Sequence, residues 1–70
     1  MKLNIYGRFH VDVRRENKRW IVYRSELGKR IQLNDVVVPS DLLEHELATY
    51  LDDIFHEFAG AGQKVEVIQD

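Results

Sequence analysis

The feature that most constrains the fold is the alternation of apolar and polar side chains over the first fourteen residues. The odd positions from Leu3 to Val13 are apolar except for Gly7, and the even positions from Lys2 to Arg14 carry polar groups. A period of two is typical of a β-strand with one face buried and the other in solvent. The pattern predicts one long first strand with its odd face toward the core, in which Gly7 marks a bend, a bulge or a place where another element comes close.

A second strand is predicted over residues 20–27, which are rich in β-branched and aromatic side chains. The length of the intervening loop decides which faces meet. A three-residue loop at positions 16–18 pairs Val13 with Ile21 and keeps apolar groups on one face. A two-residue loop would bury two charges of the second strand, Arg24 among them, so the three-residue loop is favoured.

Residues 30–33 predict a short third strand, and renewed alternation over 63–68 predicts a terminal one. Between them lies a helix that Ser40 or Asp41 would cap and that would end before Gly60. Its apolar side chains fall within one arc about 140° wide, as expected of a helix packed on a sheet. These side chains are Leu43, Leu47, Tyr50, Leu51, Ile54, Phe55 and Phe58.

The predicted fold is a single α+β domain over residues 1–70. It contains a three-stranded antiparallel meander, one amphipathic helix packed on one sheet face and a C-terminal fourth strand, in the order β-β-β-α-β. The placement of the fourth strand, and whether residues 36–38 join the sheet, stay open. The chain has no cysteine, so a disulfide or a thiolate metal site cannot support this small core.

Charge is distributed unevenly along the chain. Residues 1–30 hold nine basic and three acidic side chains, whereas residues 31–70 hold one basic and nine acidic ones. A net charge of −2 therefore conceals a basic meander and an acidic helix, and a hydrophobic content of 44% excludes a disordered polar tail.

Two charged surfaces are predicted from this distribution. The sheet face away from the helix would combine basic groups with aromatic ones and is the candidate binding face. Its predicted members are Tyr6, Arg8, His10, Arg14, Trp20, Val22, Arg24 and Arg30. The candidate acidic helix face comprises His45, Glu46, Asp52, Asp53, His56 and Glu57.

These surfaces favour a non-enzymatic protein-interaction module, which would bind an unidentified protein or a second copy of itself. The alternative is single-stranded nucleic-acid binding, with bases stacked on the aromatic side chains of the basic face. A metal-dependent or hydrolytic enzyme ranks third.

Catalytic and metal chemistry have little support in the sequence. Asp52 and His56 are spaced to share an ion, but structural zinc normally has four protein ligands. No cofactor and no metal are expected. No apolar run approaches the roughly 18 residues that a membrane span needs, so the expected location is the cytoplasm, with no membrane contact.

Three stretches of the chain carry a family resemblance: residues 7–9 (Gly-Arg-Phe), the tract 36–40 (Val-Val-Val-Pro-Ser) and the helical segment 50–59. Together they resemble a group of small uncharacterised bacterial proteins of about this length, and the similarity covers most of the chain. That group has no known activity, so the resemblance implies no functional residue.

Overall fold

In the part of the chain that the structure describes, five antiparallel strands form one sheet, and a single α-helix packs across one of its faces. The structure, a computed structural model, describes residues 1–68. Its elements are β1 (Lys2–Ile5), β2 (Phe9–Glu16), β3 (Arg19–Glu26), β4 (Lys29–Gln32), α1 (Leu47–Ile54) and β5 (Val65–Ile68). The strand order is β4-β3-β2-β1-β5. The predicted α+β class, with a meander, one helix and a C-terminal strand, is confirmed.

The prediction of one long first strand is wrong, because the chain reverses at Tyr6 and Gly7. Both residues have positive φ angles, of 58° and 72°, and the amide of Arg8 donates to the carbonyl oxygen of Ile5 at 2.9 Å. Gly7 thus marks a hairpin turn, and the meander has four strands. The alternation itself held, since Leu3 and Ile5 on β1 and the odd residues of β2 face the helix.

The predicted register between the next two strands is also wrong. Asn17 and Lys18 form a two-residue turn with φ angles of 51° and 63°, as in the turns whose twist matches a β-hairpin. Val13 therefore pairs with Val22 and not with Ile21. A slip of one residue moves every β3 side chain to the other face of the sheet.

The helix is shorter than the apolar pattern predicted. Its eight residues are flanked by 3-10 turns at Glu44–Glu46 and His56–Phe58. Neither Ser40 nor Asp41 caps it: Leu43 is extended, and its amide donates to Glu46 Oε1 at 2.9 Å. The apolar period continues beyond both ends of the helix, so the period overestimates the length of the helix.

The core lies between the helix and the inner face of β1, β2 and β3. Leu47 and Leu51 have no exposed surface, whereas Leu43 and Phe58, which the apolar stripe included, are 58% and 52% exposed. Residues 36–38 do not join the sheet, although Val38 is buried. The fully or nearly buried apolar side chains of the sheet are Leu3, Ile5, Val11, Val13 and Val22.

The C-terminal strand β5 pairs with β1 and forms one edge of the sheet. Val67 pairs with Leu3 and Val65 with Ile5, in antiparallel orientation. The chain after β4 therefore crosses the sheet through the helix to reach the opposite edge.

Tyr6 links the first turn to the helix. Its hydroxyl lies 2.9 Å from the carbonyl oxygen of Asp52 and donates to the Asp52 carboxylate. Burial, together with this hydrogen bond and the negative charge of Asp52, raises the pKa of Tyr6 to about 12. Tyr6 therefore belongs to the core and not to the outward face of the sheet.

Leu51→Ala should destabilise the protein by about 2–5 kcal/mol, because it opens a cavity beneath the helix. Leu43→Ala removes the same atoms from an exposed position and should change stability by less than about 0.5 kcal/mol. Urea unfolding followed by circular dichroism measures both. Equal losses would contradict the burial of Leu51 and the exposure of Leu43.

Tyr6→Phe should lower the free energy of unfolding at pH 7 by about 1 kcal/mol through loss of one hydrogen bond. The raised pKa also predicts that the contribution of Tyr6 to stability is fully present below about pH 10 and is lost between pH 10 and 12, because Tyr6 ionises first in the unfolded chain. Tyrosine absorbance and urea unfolding across this range test both effects.

Tyr50→Phe is the matched control, since the Tyr50 hydroxyl also donates to a backbone carbonyl, that of Val37 at 2.9 Å. The Tyr50 variant should keep the alkaline decline in stability, and the Tyr6 variant should lose the part that Tyr6 contributes. An unchanged decline in the Tyr6 variant would refute the assignment.

Candidate functional site

A largely apolar pocket opens where β2 begins and β3 ends, beside the last turn of the helical segment. Its volume of about 410 Å³ lies within the range usual for ligand sites. The sheet contributes two side chains, and the helical segment and the chain after β4 supply the other walls. The lining residues are Arg8, Phe9, Arg24, Leu33, Asp35, Val36, Phe55 and Phe58, and we call this site the phenylalanine pocket.

Three phenylalanine rings form its apolar wall. The Phe9 ring meets Phe55 at a centroid distance of 5.3 Å and Phe58 at 6.2 Å, with interplanar angles of 84° and 88°. Edge-to-face geometry of this kind is favourable between aromatic rings. Phe55 is buried while Phe58 remains half exposed, so the wall is anchored in the core and open at its rim.

Arg24 supplies a cation at the same wall. Its guanidinium carbon lies 4.4 Å from the centroid of the Phe9 ring, within cation–π range. Arg24 Nε is buried without a hydrogen-bond partner, and its distance of 3.6 Å to Glu26 Oε2 is too long for one. The guanidinium is thus held by stacking on Phe9 and by a loose ion pair with Glu26, and 40% of the side chain stays exposed.

The two-residue turn between β2 and β3 explains why Arg24 lies here. Its register turns Arg24 toward the helix side, directly opposite Val11. This register is disfavoured only if the charge of Arg24 is completely buried. The Arg24 side chain is in fact 40% exposed and covers an aromatic ring, so its charge stays hydrated.

The predicted binding face does not exist as one surface. His10, Arg14 and Arg30 lie on the outer face of the sheet, the one away from the helix, and Arg8 is exposed in the first turn. The other four residues lie on the helix side, because of the changed register and because of the turn at Tyr6. They are Tyr6, Trp20, Val22 and Arg24.

Trp20 holds the segment that leads into the helix. Its Nε1 donates to the carbonyl oxygen of Leu42 at 2.9 Å, and Arg15 lies over its ring at 4.9 Å. Arg15 Nη1 also donates to the carbonyl oxygen of Ser40, 2.7 Å away. The tryptophan predicted to be a binding platform is therefore a structural anchor.

The positive charge of the outer face is partly neutralised by the buried carboxylate of Asp12. Asp12 is only 3% exposed, and its Oδ2 lies 3.0 Å from Arg14 Nε and 3.4 Å from Arg30 Nη2. Burial acts to raise the pKa of Asp12, but the hydrogen bond and charge of Arg14 are among the effects that outweigh it and lower that pKa. Arg14 and Arg30 are thus already paired with an anion.

The candidate acidic helix face is mostly exposed. His45, Asp53, His56 and Glu57 are open to solvent, and Glu46 is exposed while it accepts from the Leu43 amide. Asp52 differs because its carboxylate accepts from Tyr6. Among residues 1–68, no group of three or more histidine, aspartate or glutamate side chains is arranged to hold a metal ion.

A second concavity, of about 450 Å³, lies between β3 and the chain at residues 33–40. Its aromatic group, Trp20, is fixed by its bond to Leu42, and its charged group is Arg19. The phenylalanine pocket combines three aromatic rings with charged groups of both signs, so it is the better candidate site.

The phenylalanine pocket was not predicted from the sequence. The apolar periodicity places Phe9, Phe55 and Phe58 in the core, and the three-residue loop places Arg24 on the opposite face. The signal that would have revealed the site is Asn17, whose tolerance of positive φ is typical of a two-residue hairpin turn.

Comparisons with known proteins give one result. No curated protein and no solved structure matches the chain significantly. In the part of the chain that the structure describes, no helix is long and apolar enough to cross a membrane. A family described as a domain of unknown function matches residues 1–69, which is nearly the whole chain. The resemblance found in the sequence is thereby confirmed, and the chain belongs to the DUF7661 family.

Proposed function

We propose that this chain is a small non-enzymatic protein-interaction module that docks its partner in the phenylalanine pocket. The ligand is a polypeptide segment that presents an apolar side chain next to a carboxylate. The observation that carries the proposal is the stacked pair of Arg24 and Phe9 in the wall of a concave aromatic site.

The apolar part of the recognition comes from side chains that the fold leaves partly uncovered. Phe58 is 52% exposed, and Leu33 and Val36 are half-buried at the same pocket. Burying one apolar side chain of a partner contributes about 1.5–3 kcal/mol. The docking energy available from one such side chain therefore suits a weak, reversible contact.

The charged part comes from Arg8 and Arg24, which outnumber the single carboxylate of Asp35 among the lining residues. The Arg24 side chain is 40% exposed, and Arg8 is exposed at the turn. Guanidinium groups bind carboxylates through two parallel hydrogen bonds, which favours an acidic ligand over a basic one.

A peptide ligand has more support than single-stranded nucleic acid. Tyr6 and Trp20, which the nucleic-acid hypothesis needs for base stacking, are bonded to Asp52 and to Leu42 on the helix side. Tyr23 remains on the outer face with Arg30 5.3 Å from its ring, but Arg30 also pairs with Asp12. Retention of the chain on single-stranded DNA at low salt would overturn the preference for a peptide.

The proposal is tested by nuclear magnetic resonance titration of the ¹⁵N-labelled chain with a capped pentapeptide that has a central leucine between two glutamates. We expect amide shifts around Phe9, Arg24 and Phe58, and weaker binding of a peptide with lysines in place of the glutamates. Phe58→Ala should reduce the affinity by roughly fivefold or more, because it removes part of the apolar wall.

Arg24→Gln separates charge recognition from packing. It should remove the preference for the glutamate peptide over the lysine peptide, whereas Arg19→Gln, which changes a residue outside the pocket, should preserve that preference. Equal binding of both peptides by the wild-type chain, or no shifts at the pocket at all, would reject the proposed site.

A further inference from the structure

Leu27 occupies an unfavourable position in two respects. At 95%, it is the most exposed of the large apolar side chains in residues 1–68. It also has a φ of 51° in the two-residue turn that it forms with Gly28 between β3 and β4. A left-handed backbone costs a residue such as leucine about 1–2 kcal/mol, and asparagine is preferred there.

The turn that carries Leu27 lies at the same end of the sheet as the phenylalanine pocket. His10 pairs with Ser25, so the start of β2, with Phe9 in the pocket, is next to the end of β3. Arg24, in the pocket wall, precedes Leu27 by three residues. The protein thus presents an exposed apolar side chain beside an open apolar site.

We infer that the phenylalanine pocket of a second copy of this chain receives Leu27, so that two copies form a closed dimer. This inference rests on the proposed function, since Leu27 would be a ligand of the chemistry that the pocket favours. Because Leu27 and the phenylalanine pocket lie at the same end of the sheet, two copies related by a two-fold axis can each place Leu27 in the pocket of the other.

The flanking charges of the turn complement those of the pocket. Glu26 precedes Leu27 and provides the carboxylate, while Lys29 follows the turn. The pocket carries Arg8 and Asp35, so opposite charges can meet on both sides of the inserted leucine. Within one chain Glu26 is only loosely paired with Arg24, at 3.6 Å, and it is free to change partner.

Self-docking would regulate the site that it fills. A Leu27 side chain in the pocket excludes an external ligand, so dimerisation and partner binding compete for the same pocket. Dilution or a tighter external ligand then releases the pocket, and the concentration of the chain sets its availability.

Sedimentation equilibrium of the wild-type chain and of Leu27→Asn, between about 0.02 and 2 mM, tests the inference in the range of weak association. The mass of the wild-type chain should rise from 8.3 kDa toward twice that value. Leu27→Asn should remain monomeric and yet unfold at a higher urea concentration, because asparagine followed by glycine suits this turn. An increase in stability excludes misfolding as the cause of lost association.

Val37→Asn is the matched control: Val37 is 72% exposed but does not line the phenylalanine pocket, so this variant should still dimerise. Dimerisation of Leu27→Asn, or a wild-type chain that stays monomeric at about 2 mM, would overturn self-docking.

The glutamate pentapeptide separates this inference from the proposed function. A monomeric wild-type chain that binds the peptide would leave the docking function intact and reject only self-docking. If the peptide binds neither the wild-type chain nor Leu27→Asn, the external ligand is rejected. A dimer that depends on Leu27 would then support self-docking without the external ligand.

Discussion

The two-residue turn at Asn17 and Lys18 is the constraint on which the arrangement of side chains depends. Two successive left-handed residues fix the pairing of β2 with β3, and that pairing decides which β3 side chains face the helix. Trp20 thereby becomes the anchor of the chain that enters the helix, and Arg24 reaches the ring of Phe9. One local backbone conformation determines both the packing of the core and the chemistry of the pocket.

Much of the fold was predictable from periodicity, because periodicity reports which side chains are buried. The α+β class, the four buried odd residues of the first hairpin and the position of the helix follow from it. Helix ends were not predictable in this way, since Leu43 and Phe58 continue the apolar period outside the helix. The first hairpin was hidden because a three-residue reversal at Tyr6 preserves the parity of the alternation.

The site was less predictable, because its members come from separate parts of the chain and meet only in the correct register. The unfavourable burial of Arg24 weighed against that register, but an arginine can cover an aromatic ring while its charged end stays in water. The charge asymmetry of the sequence was real, yet Asp12 sits beneath the outer cations and moderates the sheet face. Composition could not reveal that one carboxylate would be buried among arginines.

The pairing of β5 with β1 has a consequence for any larger molecule that contains this domain. Lys2 lies beside Ile68, whereas Ile5, which lies beside Phe9, is at the other end of β1. Lys2 and Ile68 therefore lie at the end of the sheet remote from the phenylalanine pocket. A tether attached at that end of the sheet would leave the phenylalanine pocket uncovered.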